Sequence, residues 1–192
     1  MRISGGFAKG RRTSWERLPE ENTSGGRLRP TSSKVREALF DILRNILQGS
    51  RFVDLYAGTG TVGLEALSRG AGSVVFVEPD GVRTAMIHKS IEALGFSGNA
   101  IVSKMYAEKF LQTASRERLG FDIFFLDPPY QSEEIGKVLP LIGSIGILNN
   151  EGIVIAEHFF KKPVPSIAGS LILAKQYRYG DTVLTLYREE PG

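Results

Sequence analysis

From Arg51 onward, apolar runs of strand length alternate with segments of helical period, and that alternation constrains the fold more than any other feature. It predicts strands at 51–56, 73–78, 99–103, 121–126 and 152–157, and helices at about 61–69, 80–94, 107–117 and 132–145. Several strands are near-continuous apolar runs, Phe121 to Leu126 most clearly, as expected for a parallel sheet covered on both faces. An α/β chain with a doubly wound sheet follows. The alternation breaks near the C-terminus, where 170–178 and 182–188 read as two strands joined by a tight Tyr179-Gly180-Asp181 turn. An antiparallel hairpin is therefore expected at one edge of the sheet. Before Arg51, Val35, Leu39, Leu43, Ile46 and Leu47 recur at helical spacing to about Gln48, behind an N-cap at Thr31 or Ser32. Residues 1–18 read as a basic hairpin and 19–30 as a loop, which divides the chain into an arm over 1–30 and one domain over 31–192.

The first strand runs into a glycine turn. After Phe52-Val53-Asp54-Leu55-Tyr56 come Ala57-Gly58-Thr59-Gly60-Thr61-Val62-Gly63, in which Gly58, Gly60 and Gly63 have the G-x-G-x-x-G spacing at the mouth of a helix. Such a turn lets backbone approach a ligand closely. The next strand ends in Glu78, twenty residues after Gly58, where a carboxylate can accept hydrogen bonds from ribose hydroxyls. The combination points to a cofactor containing a nucleoside. Asp54 beside the turn suits an ammonium group better than a pyrophosphate, unless it only pins the turn through local N–H groups.

The fourth strand ends in Asp127-Pro128-Pro129-Tyr130. Proline has no N–H, so Pro128 and Pro129 leave acceptors only: their carbonyls and the Asp127 carboxylate. A planar amino group presents two N–H donors. Two acceptors beside an aromatic ring complement the exocyclic amine of a nucleobase, with Tyr130 as the stacking face. The alternative is an ordinary loop with Tyr130 capping the core.

Charge is unevenly placed. Residues 1–51 carry a net +6 and the remainder a net −3, so the basic character sits at the N-terminus and suits a polyanion. Arg11, Arg12, Arg27, Arg29, Lys34 and Arg36 are the candidate RNA contacts, although Arg36 could instead pair with a domain carboxylate. Trp15 could stack on a base or pack the hairpin. The chain has no cysteine, which excludes disulfides, Cys-ligated zinc and any covalent cysteine adduct, including the one used to methylate a base ring carbon. His88 and His158 lack the spacing of a metal site or triad, so no metal is expected. Glu157, at the end of the fifth strand, borders the ligand side of the sheet or is a solvated strand end. With no apolar run near membrane-spanning length and no signal-like start, the expected setting is cytoplasmic, without a membrane partner. No P-loop is present, so NTP hydrolysis is not supported.

Taken together, Asp54 to Gly63, Glu78 and Asp127 to Tyr130 resemble the class I S-adenosylmethionine-dependent methyltransferases that act on base amines. The segment Arg29-Pro30-Thr31-Ser32-Ser33-Lys34-Val35-Arg36-Glu37-Ala38-Leu39-Phe40 is similar to the R-P-T-x-x-x-V-R-E-x-x-F stretch of the RsmD family, the small-subunit ribosomal RNA guanine-N2 methyltransferases. Ile3-Ser4-Gly5-Gly6, Gly10-Arg11 and Gly63 to Ala71 resemble that family too, nearly end to end. The resemblance implies a Rossmann-like class I fold with a seven-stranded, mostly parallel sheet in the order 3-2-1-4-5-7-6, helices on both faces and an N-terminal hairpin extension. It implies S-adenosylmethionine as cofactor, held by Asp54, Tyr56, Ala57, Gly58, Thr59, Gly60, Gly63, Glu78, Pro79, Tyr106 and Ala107. It implies methyl transfer to guanine N2 in 16S ribosomal RNA or the small ribosomal subunit, with Asp127, Pro128, Pro129 and Tyr130 as the catalytic set. One position departs from the family: Tyr106 precedes Ala107 where Asp or Asn is usual, so the adenine contact falls to the backbone near Ala107 or to Tyr106. The alternatives are an amino-methyltransferase acting on another RNA or on DNA (N6-adenine type), and an NAD-dependent oxidoreductase. The oxidoreductase accounts for the glycine turn and Glu78 but not for Asp127 to Tyr130 or the basic arm.

Overall fold

The computed structural model describes residues 2–13, 32–129 and 132–190. Arg27, Arg29, Trp15, Thr31, the 19–30 loop and Tyr130 lie outside the described residues. In chain order the elements are α1 (Ser33–Leu43), β1 (Arg51–Asp54), α2 (Thr61–Ser68), β2 (Ser73–Val77), α3 (Gly81–Leu94), β3 (Ala100–Ser103), α4 (Ala107–Arg116), β4 (Phe121–Leu126), α5 (Glu134–Ile142), β5 (Leu148–Phe159), β6 (Ile167–Ala168), β7 (Leu171–Tyr179) and β8 (Thr182–Glu189). They form one eight-stranded sheet in the order β3-β2-β1-β4-β5-β8-β7-β6. Strands β1 to β5 are parallel, and β8, β7 and β6 close the edge in antiparallel pairs.

This is the Rossmann-like class I methyltransferase arrangement, with the last long strand inserted antiparallel beside β5. It corrects the expected count of seven by one: the two-residue β6 pairs with Leu171 and Ile172, too short to register as a periodic run. Strand β5 also starts earlier than expected, at Leu148. A register shift between Phe121 and Ile123 and Glu151 at φ 61° absorb a turn-like Asn149-Asn150-Glu151-Gly152 stretch into the strand. Helix α1 stops at Leu43 rather than Gln48, because Ile46 and Leu47 both donate backbone N–H to the Leu43 carbonyl in a tight turn. Ser32 caps it, its Oγ accepting from Val35 N at 3.3 Å.

Period two along the strands sorts the core into two layers. Phe52, Phe76, Phe125 and Ile155 pack on the side of α1, α2 and α3. Val53, Val77, Phe124 and Val154 pack with α4 and α5 on the other side. On the first side the N-terminal residues are built into the domain. Arg2 pairs with Arg12 in an antiparallel bridge, and Ile3 and Ala8 are buried in the same core layer. A fully buried carboxylate, Glu65 on α2, ties them down. It accepts from Ser4 N and Ser4 Oγ, both at 2.8 Å, and from Arg69 Nε at 2.8 Å, with Arg36 Nε 3.7 Å away. Arg36 is 3% exposed, so it lies against Glu65 in the interior and is not an exposed phosphate contact. Burial lowers its pKa and the nearby carboxylates of Glu65 and Glu37 oppose that.

Removing Glu65 would leave the buried Arg36 cation uncompensated, a class of change that costs about 3–5 kcal/mol. Glu65→Ala is therefore expected to lower Tm by roughly 10 °C in a thermal melt at neutral pH. A shift of a degree or two would mean that the cluster is not a structural anchor.

Candidate functional site

The parallel strands deliver a row of acids to one edge. Asp54 closes β1 in register with Phe76 of β2 and Phe125 of β4. Two residues beyond those partners stand Glu78 and Asp127, and two beyond Ile155 stands Glu157. The pleat alternation puts all four at the C-terminal ends of the strands and toward the α1–α2–α3 layer. Ligands of open α/β sheets bind at this edge.

The glycine turn is shaped by two of these acids. Asp54, buried, accepts the Gly63 N–H at 3.0 Å through Oδ2, which fixes the first turn of α2 to the end of β1. Glu78 accepts the Gly58 N–H at 2.9 Å and the Asp80 N–H at 3.0 Å, with Arg83 Nη1 3.6 Å away. Gly60 has φ 71°, and a Cβ there would lie 2.9 Å from Ile87. At Gly63 a Cβ would come within 2.3 Å of the Phe76 ring, so the helix and β2 approach as closely as they do only because the side chain is absent. Ala57 N bonds the Val77 carbonyl at 3.0 Å, and the Thr59 and Thr61 hydroxyls share a hydrogen bond of 2.7 Å.

Burial is the largest effect on Asp54 and raises its pKa to about 7, opposed by the Gly63 N–H and reinforced by the nearby charges of Asp127 and Glu78. Burial likewise raises Glu78, against the pull of the Asp80 and Gly58 N–H groups and of Arg83. Two buried carboxylates on a glycine turn, Asp54 and Glu78, fit a ligand bearing positive charge. A pyrophosphate would meet the same field with two further negative charges, so the donor set suits a sulfonium and ammonium cofactor and not a dinucleotide.

At the end of β4, Asp127 is half-buried, Pro128 buried and Pro129 exposed. The Pro129 carbonyl accepts from Ser132 N and Ser132 Oγ, both at 2.8 Å, which turns the chain before α5 and explains why that helix begins at Glu134 rather than 132. Tyr56 donates its hydroxyl to Glu134 Oε2 at 3.1 Å, bridging the β1 end to α5. Its phenol pKa is raised, by burial first and by Glu134 next. Tyr106 stands at the N-cap of α4 and is 74% exposed, while Ala107 is buried behind it. Pro79 follows Glu78 and is exposed. Among the RNA candidates, Arg12 and Lys34 are exposed. Arg11 bonds the Leu94 carbonyl at 3.1 Å and also the Ala93 carbonyl, at the C-terminus of α3. Arg83 and Glu134 were not singled out from the sequence. Arg83 sits five residues after Glu78, on the first turn of α3, but nothing in its surroundings along the chain distinguishes it from other helix cations. Among the described residues no helix is long and apolar enough to cross a membrane, and no group of three or more His, Asp or Glu could hold a metal ion.

The Asp54 shift has a pH signature. Its folded pKa is above the unfolded one, so the native state holds the extra proton and stability falls as pH rises between about 4 and 7. Denaturant midpoints measured across that window should decline in the wild type and flatten in Asp54→Asn. Parallel curves for the two proteins would contradict the buried, protonatable Asp54.

Comparison with known proteins agrees with this architecture. A family model described as conserved hypothetical protein 95 matches residues 1–188. YlbH of Bacillus subtilis is 32% identical over 189 residues, 98% of this chain and 99% of that protein. Ribosomal RNA small subunit methyltransferase D of Escherichia coli is 30% identical over 190 residues, 99% of this chain and 90% of that protein. The solved structure of yhhF from Escherichia coli superposes with a TM-score of 0.81 at 27% identity, covering 99% of this chain and 98% of that one. The chain thus belongs to the conserved hypothetical protein 95 family, the RsmD family of class I methyltransferases.

Proposed function

We propose that this protein transfers a methyl group from S-adenosylmethionine to the exocyclic N2 amine of one guanine in the RNA of the small ribosomal subunit. The acceptor-rich end of β4, beside the acid-lined glycine turn, carries the reading: its acceptors suit the N–H groups of an amine, and the acids of the turn suit a cationic nucleoside cofactor. The substrate class is supported by the Escherichia coli relative, named as a small-subunit ribosomal RNA methyltransferase and matched over nearly the whole chain. The choice of guanine N2 follows the family that the Arg29 to Phe40 segment resembles.

When bound, the cofactor supplies an activated methyl group on a sulfonium. Glu78 would accept from the ribose hydroxyls, and Asp54 with the Gly58 to Gly63 backbone would hold the amino-acid end; Tyr106 and Ala107 would border the adenine. The guanine amine is a poor nucleophile because its lone pair is conjugated into the ring. Asp127 and the Pro128 carbonyl would each accept one of its N–H groups, favour a pyramidal nitrogen and aim the lone pair at the methyl carbon. Tyr130 would stack on the base, worth roughly 1–3 kcal/mol per base in single-stranded complexes. Asp127 would also stabilise the positive charge that develops on nitrogen, and the alkylated amine, being acidic, would lose its extra proton afterwards, so orientation and electrostatics do the work and no strong base is required. The target base must be unpaired or flipped to reach this edge.

Losing one preorganised electrostatic partner costs a factor of about 100 to 1,000 in turnover. Asp127→Ala is expected to lower methyl transfer to small-subunit RNA by that order while cofactor affinity, read in parallel by calorimetry, is unchanged. Wild-type turnover in the variant would remove Asp127 from the mechanism.

A further inference from the structure

The candidate RNA contacts read from the sequence lie in the N-terminal quarter, yet a second set of cations gathers at the other end of the chain. The turn after β5 and the strand β7 build it together. Arg178 on β7 lies over the ring of Phe160, its Cζ 4.0 Å from the centroid, and Lys161 Nζ is 5.6 Å from the same centroid. Phe159 meets Phe160 edge-on at 4.9 Å. The guanidinium is held in place by Arg178 Nε donating to the Gly180 carbonyl at 2.9 Å, and Phe160 N donates to the Asp181 carbonyl at 2.9 Å, fastening the turn to the β7–β8 hairpin. Lys175, whose Nζ lies 4.9 Å over the ring of Tyr177, is on the opposite face of β7, toward α1, and does not belong to this cluster.

Lys161 and Arg178 are exposed, and no salt bridge among the described residues involves them. Glu133, ahead of α5, is paired with Lys162 at 3.0 Å. Held over the Phe160 ring, Lys161 keeps its ammonium N–H groups available, and Arg178 those of its two terminal nitrogens. An arginine plane stacked on a ring can present its other face to a base and its fork to a phosphate. Cations interleaved with rings are the pattern of single-stranded nucleic-acid platforms, where the groove tracks the backbone and the rings take the bases.

The patch is also joined to the acceptor site. Lys162 Nζ donates to the Ser132 carbonyl, and Ser132 N donates to the Pro129 carbonyl at 2.8 Å, in the loop that begins with Asp127. A strand whose base enters at Asp127 would pass this face with its neighbouring nucleotides.

We propose that Phe160, Lys161 and Arg178 form a docking surface for the single-stranded RNA flanking the target base. Phosphates are taken by Lys161 and Arg178, and one base stacks on the Arg178–Phe160 pair. The class of ligand rests on the RNA reading above; the surface itself rests on the cation–ring geometry.

The test is the double variant Lys161→Ala/Arg178→Ala, with Phe160→Ala as a separate variant. Binding of small-subunit RNA is titrated over a range of salt, with S-adenosylhomocysteine affinity and melting temperature measured on the same preparations. The double variant should bind RNA roughly tenfold or more weakly at low salt. Its log–log salt slope should be shallower by about 0.7 for each lost phosphate contact. Phe160→Ala should weaken binding with little change in slope. RNA affinity and slope equal to wild type in the double variant would overturn the proposal, even if the wild-type protein methylates RNA normally. Conversely, loss of RNA binding in the variants of a protein that transfers no methyl group to that RNA would support the surface and count against the functional reading.

Discussion

The hydrogen bond from Gly63 N to the buried carboxylate of Asp54 holds the site together. It fixes where α2 begins relative to β1, and with the Gly58–Glu78 bond it sets the curve of the turn between them. Only glycine at position 63 lets α2 lie that close to Phe76. The arrangement carries an electrostatic cost, because burial first and the charges of Asp127 and Glu78 next raise the proton affinity of Asp54. Functional sites commonly hold such strain in charge. A positively charged ligand would relieve it.

A second buried acid, Glu65, does for the N-terminal residues what Asp54 does for the turn. Both acids sit at one helix: Asp54 binds the first turn of α2, and Glu65 binds Ser4, Arg36 and Arg69 near its end. The hairpin over residues 2–12, α1 and the glycine turn are therefore fastened to the same eight-residue helix.

Most of the sheet was legible in the sequence because parallel strands buried on both faces are long apolar runs, and the glycine turn marks where the first one ends. The reversed edge was legible from the Gly180 turn between two runs with no helix between them. Other features had no local signal. The two residues of β6 are recognisable only by their pairing with Leu171 and Ile172. The first residues of β5 carry Asn-Asn-Glu-Gly, which reads as a turn until Glu151 is seen at positive φ inside the strand. Arg36 read either as a phosphate contact or as the partner of a domain carboxylate, because that carboxylate is 29 residues away on another helix. The cation–ring cluster was not read from the sequence, although Phe159-Phe160-Lys161-Lys162 and Tyr177-Arg178-Tyr179 interleave charge with aromatics. What the sequence lacks is that Phe160 and Arg178 meet.

The central claim is that the end of β4 receives a base amine, and specifically guanine N2, beside a cofactor held by the acid-lined turn. The most direct measurement is to incubate the protein with labelled S-adenosylmethionine and unmodified small-subunit RNA or particles, digest the RNA and identify the labelled nucleoside and its position. The expected product is N2-methylguanosine at a single site. Label in N6-methyladenosine, on a ring carbon or on ribose would contradict it.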